Sequence, residues 1–136
     1  TLIWLKNETE IWIELTTLLI PDENDSDEEI MNECEWILKN LGENVPLHFT
    51  AFHPDFKMLN KFPTPHSTLI RAKNIATKIG IKYRYVGNVN DTKNQSTYCL
   101  NCGRLLIERN WHQTKIVNLE TNKCEKCGDV LPGIYS

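Results

Sequence analysis

The spacing of apolar positions changes several times along this chain, and each change marks an element. Ile11-Trp-Ile-Glu-Leu-Thr-Thr-Leu-Leu-Ile20 is nearly continuous in apolarity and rich in β-branched and aromatic residues, which predicts a parallel strand covered on both faces. Pro21 stops it. Ahead of that strand, Leu2-Ile-Trp-Leu5 reads as the tail of an element already under way, and Asn7-Glu-Thr-Glu10 as a turn. From Ile30 the period becomes helical, with Ile30, Met31, Cys34, Ile37, Leu38 and Leu41 on one face and Gly42 closing the helix. Ser26 and Glu29 form its capping box, and the acidic first turn suits the helix dipole. A calcium loop through Asp22, Asn24, Ser26 and Glu33 fails at its sixth position, which needs glycine and holds Asp27. Cys34 lies on the apolar stripe and reads as core.

After Pro46 the chain turns extended again. Leu47-His-Phe-Thr-Ala-Phe-His53 predicts a second strand ended by Pro54, and residues 57–63 a loop. Thr64 caps a second helix with Pro65 at its first position. Leu69, Ala72, Ile75, Ala76 and Ile79 make its buried face, and Gly80 ends it. Ile81-Lys-Tyr-Arg-Tyr-Val86 is a third strand, and Gly87 to Tyr98 a polar, loose link. The expected fold class is therefore α/β: three parallel strands with two right-handed crossover helices, followed by a small C-terminal unit. The expected boundary divides residues 1–90 from 91–136. Three parallel strands are few, and the first has no partner on its outer edge. The sheet reads as part of something larger, either a fragment or a chain built to complete a larger sheet.

The C-terminal unit carries the clearest chemistry. Cys99-Leu-Asn-Cys102-Gly and Cys124-Glu-Lys-Cys127-Gly repeat one Cys-x-x-Cys-Gly turn, with twenty-one residues between Cys102 and Cys124. Zinc takes four soft donors in a tetrahedron, and each turn presents two thiolates. The glycine after each pair lets local N–H groups swing toward sulfur. Between the turns, Arg104 to Arg109 and Lys115 to Leu119 read as short strands, so the layout is a zinc ribbon with Cys99, Cys102, Cys124 and Cys127 as ligands. A four-sulfur site takes iron as readily as zinc, so spacing leaves the metal open. Two disulfides are the competing reading, weakened by the strain of bridging adjacent turns.

Charge narrows the partners. The chain carries a net charge of −3, and residues 1–40 hold eleven acids against Lys6 and Lys39. From Cys99 onward five bases face four acids, before four thiolates and a divalent ion add net negative charge. A ribbon that grips phosphates is far more basic, so nucleic acid is disfavoured as a partner. Four of five cysteines in metal spacing point to a reducing compartment, the cytoplasm. No apolar run approaches a membrane span.

Three stretches together carry a resemblance. They are Ile13 to Glu29, then Pro46-Leu-His-Phe-Thr-Ala-Phe-His-Pro54, then Tyr85-Val-Gly-Asn-Val89. Tyr98-Cys-Leu-Asn-Cys-Gly103, the second Cys-x-x-Cys-Gly and the closing Pro132-Gly-Ile134 extend it. The chain resembles the second half of the radical S-adenosylmethionine protein of the AmmeMemoRadiSam system, a relative of pyruvate formate-lyase activating enzymes. The resemblance implies the last three strands of a partial (β/α)6 barrel. It implies a parent enzyme whose [4Fe–4S] cluster reductively cleaves S-adenosylmethionine to a 5′-deoxyadenosyl radical that takes hydrogen from a substrate. The Cys-x-x-x-Cys-x-x-Cys loop for that cluster is expected upstream of Thr1, so this chain alone is expected to be inactive. Its expected partners are the missing half of the barrel or an oligomer partner, with a protein substrate possible.

The resemblance also points to part of the cofactor pocket. His53 stands at a strand's carboxyl end, where barrel ligands sit, and the activating enzymes place a histidine near the nucleoside there. The alternative is that His53 ties down the strand-to-loop turn. Glu14 and Thr16 share one strand face and either line the barrel interior or face solvent. His48, on the same face as Thr50 and Phe52, reads as structural, and His66 and His112 carry no assigned role. A reading from another class stays open: a non-catalytic zinc-ribbon adaptor whose α/β part binds a protein.

Overall fold

A computed structural model describes residues 1–54 and 61–133. The expected loop over 57–63 falls partly, and Ile134 of the closing motif wholly, outside the described residues. The chain divides into two compact units, Thr1–Val89 and Asn90–Ser136.

In the first unit the strands β1 (Leu15–Leu19), β2 (Leu47–Ala51) and β3 (Arg84–Gly87) form a parallel sheet in the order β1-β2-β3. The crossovers are helices α2 (Asp27–Asn40) and α3 (His66–Ile79), which pack on each other. A further helix, α1 (Leu2–Glu8), precedes them where the sequence suggested an element tail and a turn. The core is built from alternate strand positions and the apolar helix stripes. Leu19, Leu47, Phe49, Ala51 and Val86 from the strands meet Ile30, Cys34 and Ile37 of α2 and Leu69, Ala72 and Ala76 of α3. Cys34 is fully buried as expected, and desolvation pushes its thiol up to about 12, which leaves it inert.

Ser26 caps α2 as its sequence predicts, with Oγ accepting the Glu29 N–H at 3.2 Å. Gly80 ends α3 in the left-handed region at φ 117°, a cap that favours glycine. Thr64, however, is not the cap of α3. Its hydroxyl donates to the Leu19 carbonyl at 2.5 Å and accepts the Phe52 N–H at 2.8 Å, tying the ends of β1 and β2 together. Pro65 takes the cap position, with no side-chain hydrogen bond, and the helix begins at His66.

The first strand is shorter than its apolar run. It starts at Leu15, whose N–H donates to the Pro46 carbonyl, because β2 itself begins only after Pro46, which has no N–H to give. Nor is it covered on both faces. Thr16 is exposed and Leu18 is 46% exposed, while Leu19 on the other side is buried. The third strand likewise begins at Arg84 rather than Ile81, which is buried in the core. Three of the four tryptophans, Trp4, Trp36 and Trp111, are exposed, and Trp12 is only half-buried.

The second unit is more ordered at its start than a loose link. Asp91 caps a one-turn helix, α4 (Thr92–Gln95), and β4 (Thr97–Tyr98) follows at once. β4, β5 (Leu105–Asn110) and β6 (Gln113–Ile116) form an antiparallel sheet, with β7 (Leu119–Glu120) and β8 (Lys123–Cys124) pairing beside each other in a second hairpin. Arg109 joins these pieces, donating to the Thr97 hydroxyl at 2.5 Å. No described helix is long and apolar enough to cross a membrane.

Candidate metal centre

The two Cys-x-x-Cys-Gly turns fold as copies of each other. The Gly103 N–H donates to the Cys99 carbonyl at 2.9 Å, and the Gly128 N–H to the Cys124 carbonyl at 2.8 Å. The Cys99 N–H reaches the Arg104 carbonyl at 2.8 Å, and the Cys124 N–H reaches that of Asp129 at 2.9 Å. Gly103 and Gly128 share φ 77°, where a side chain is strained, and a Cβ built there meets nothing within 4 Å. The glycine requirement is therefore conformational rather than steric.

This backbone brings all four sulfurs together, each within 4.8 Å of the others. Cys99 and Cys127 stand 3.5 Å apart, Cys102 and Cys124 3.6 Å, and none of the four is disulfide-bonded. Four sulfurs about 2.3 Å from one ion in a tetrahedron lie about 3.8 Å from each other, which matches this cluster far better than a disulfide does. Cys99 and Cys124 are buried, Cys102 half-buried and Cys127 exposed, so the site opens on one side only.

The surroundings favour thiolate where the cluster meets solvent. The Asn101 side chain, then the Asp129 backbone N–H, hydrogen-bond the Cys127 sulfur and hold its thiol down at about 6. The Cys127 and Lys126 backbone N–H groups do the same for Cys124, which is also lowered. Burial pushes Cys99 up to about 11 although the Cys102 and Asn101 N–H groups point at it. A divalent cation reverses that penalty, because the ion neutralises the thiolates it coordinates. Asn101 is the contributor that sequence reasoning overlooked. It sits in the first turn and serves a sulfur of the second, and only its short amide at that position hinted at the role.

The residues singled out for a cofactor pocket do not come together. His53 lies past the carboxyl end of β2 and is exposed, with Nε2 donating to the Asn88 carbonyl at 3.1 Å. Asn88 in turn donates to the Ala51 carbonyl at 2.9 Å, so His53 bridges the ends of β2 and β3. Glu14 and Thr16 lie at the opposite end of the sheet, beside β1's start. There Glu14 accepts from His48 Nε2 at 2.8 Å and from the Trp12 indole at 3.0 Å. The His48 ring stacks on Tyr85, with centroids 5.0 Å apart. His48, which the sequence marked as merely structural, is thus the partner of Glu14.

No family model and no solved structure matches the chain. A relative is found in Methanocaldococcus jannaschii, an uncharacterized protein that is 44% identical over 123 residues. The match takes in 89% of this chain and only 37% of that protein, so the chain spans little more than a third of its relative's length.

Proposed function

We propose that this chain is the C-terminal part of a radical S-adenosylmethionine enzyme, contributing three strands of a partial (β/α)6 barrel and a zinc-binding ribbon. The observation that carries this reading is the sheet itself. Its strands run parallel in chain order, and the core lies between the sheet and a paired α2 and α3. A sheet that winds one way with its crossover helices on one side is the repeating unit of a barrel, whereas a doubly wound sheet reverses order and is covered on both faces. The exposure of Thr16 and Leu18 on the other face fits a surface that a barrel turns inward. The greater length of the archaeal relative leaves room for the preceding strands and for a cluster-binding loop.

In this reading His53 contacts the nucleoside at the carboxyl end of the strands, Glu14 and Thr16 line the interior, and the ribbon cysteines hold zinc structurally. A reducing cytoplasm suits the free thiols. The test is to express the archaeal relative in full under anaerobic conditions and reconstitute it with iron and sulfide. With dithionite, it should convert S-adenosylmethionine to 5′-deoxyadenosine and methionine. A reconstituted protein with no [4Fe–4S] absorption and no 5′-deoxyadenosine would overturn the reading and leave a metal-ribbon adaptor in its place.

A further inference from the structure

The last strand of the antiparallel sheet has one unused edge. Among the described residues β6 pairs only with β5, and all four of its residues are exposed. The Val117 N–H donates to the Leu106 carbonyl at 3.0 Å, one step beyond the Ile107–Ile116 pair, so that step is a hydrogen-bonded position of the ladder. Bonded and non-bonded pairs alternate along an antiparallel ladder. Gln113 and Lys115 therefore turn their N–H and C=O groups to Asn110 and Glu108, while Thr114 and Ile116 turn theirs outward. Neither Thr114 nor Ile116 has another backbone partner among the described residues. Their main-chain donors and acceptors lie in one line, which is the template for a further strand.

The side chains along this edge select what adds to it. Ile116 is 59% exposed and shares a face with Thr114, while Lys115 lies on the other face, opposite Glu108. An open cavity of about 440 Å³ is lined by Glu108, Asn110, Gln113, Thr114 and Lys115. A strand added to β6 sets a side chain directly beside Lys115, whereas Glu108 stands a further strand away, at about twice the 4.8 Å spacing. The nearer charge decides, and opposite charges directly across a ladder attract. At the end of the hairpin, Trp111 holds the first position of the two-residue turn at φ 53°, where hairpins prefer glycine or asparagine. Its N–H donates to the side-chain oxygen of the buried Gln95 at 3.4 Å, and the residue is 50% exposed. A bulky residue there costs the ribbon backbone strain while half of it stays in water, a combination that marks binding elements. We infer that the outer edge of β6 takes an extended peptide segment of a protein partner as a further antiparallel strand. Apolar residues of that segment lie opposite Thr114 and Ile116, an acidic residue lies opposite Lys115, and Trp111 anchors the segment beyond. A second copy of the chain is the poorer occupant, because the antiparallel register that uses both free residues sets Lys115 against its own counterpart.

The inference stands on the ribbon alone and does not require the barrel reading. Its test uses the 136-residue chain loaded with zinc, and a blocked synthetic peptide that alternates valine and glutamate. In proton–nitrogen spectra, titration should shift the Thr114 and Ile116 amides saturably and slow their exchange with water. The Gln113 and Lys115 amides, already bonded to β5, should move least. N-methylation of the peptide at its valines, whose N–H groups face β6, should abolish binding. Lys115→Glu should lower the affinity about tenfold, and a peptide with lysine for glutamate should restore it. Trp111→Gly, which relieves the strain, should leave the melting temperature unchanged or higher and still weaken the peptide about tenfold. Shifts without the alternation, no saturable shift, equal binding of the lysine peptide by the parent chain, or full affinity in Trp111→Gly would each overturn the inference. So would Thr114 and Ile116 shifts that follow the chain's own concentration without peptide, which would make a second copy the occupant. None of these results depends on whether the longer protein cleaves S-adenosylmethionine.

Discussion

At the scale of single residues, the ribbon glycines and Glu33 make the sharpest demands. Gly128 sits at φ 77° with open space around the missing Cβ, so Gly128→Ala adds backbone strain of about 1–2 kcal/mol and nothing else. A competition with a chromophoric chelator should show zinc affinity reduced roughly tenfold, and Gly103→Ala should behave alike. Glu33 makes a different demand. Burial raises its carboxyl above the ordinary range even though the Thr17 hydroxyl donates to it. The folded state therefore holds the proton more tightly than the unfolded chain. The stability Glu33 contributes is present at acid pH and is lost as pH rises from its ordinary value through its raised one. Glu33→Gln, which never ionises, should gain in melting temperature over the parent as pH is taken from 4 to 7, and a constant difference would refute this. The four cysteines were legible in the sequence because metal spacing is a local pattern. The bonds from Asn101 to Cys127 and from Glu14 to His48 were not, since each joins residues far apart in the chain and depends on a register that no local pattern reports.

At the scale of elements, periodicity located α2, α3 and the three strands of the first unit but not α1, and hydrogen-bond supply trimmed their ends. The α2 stripe predicted Ile30, Cys34 and Ile37 as core, yet Met31 on its margin is 41% exposed. The apolar run from Ile11 overstated β1, because a strand extends only as far as its neighbour can pair with it. Thr64 shows the same competition: a residue with good cap chemistry was recruited by two strand ends instead. Elements joined in this way depend on their shared centre. Phe49, fully buried in the middle strand, should cost about 3–5 kcal/mol when replaced by alanine. A urea denaturation followed by far-ultraviolet circular dichroism would measure it, and a loss under 1 kcal/mol would mean that the core can collapse around the gap.

For the molecule as a whole, the two units are held by different means. The first has a continuous apolar core, while the second is a set of short strands arranged around four sulfurs. Metal binding and folding are one equilibrium in such small units. Removing the metal with a thiol-reactive mercurial and a chelator, or replacing Cys124 with serine, should collapse amide dispersion for residues from about 98 onward. Native-like signals there without metal would sink the assignment. Elemental analysis of chain purified without added metal should find about one zinc and no visible colour, whereas brown protein containing sulfide would place a cluster at the cysteines. That the three strands run parallel was legible in the sequence, because a helix-length crossover joins each to the next. What surrounds the sheet was not, because closure of a barrel is decided by strands that a three-strand pattern does not contain.

The exposed positions of Trp4, Trp36 and Trp111 carry a practical consequence for anyone following this protein in solution. Indole emission moves to longer wavelength when water reaches a ring that was dry, and here water already reaches these rings in the native fold. Unfolding will therefore leave the fluorescence spectrum nearly where it began, and a flat emission trace on heating will be no sign of a stable protein.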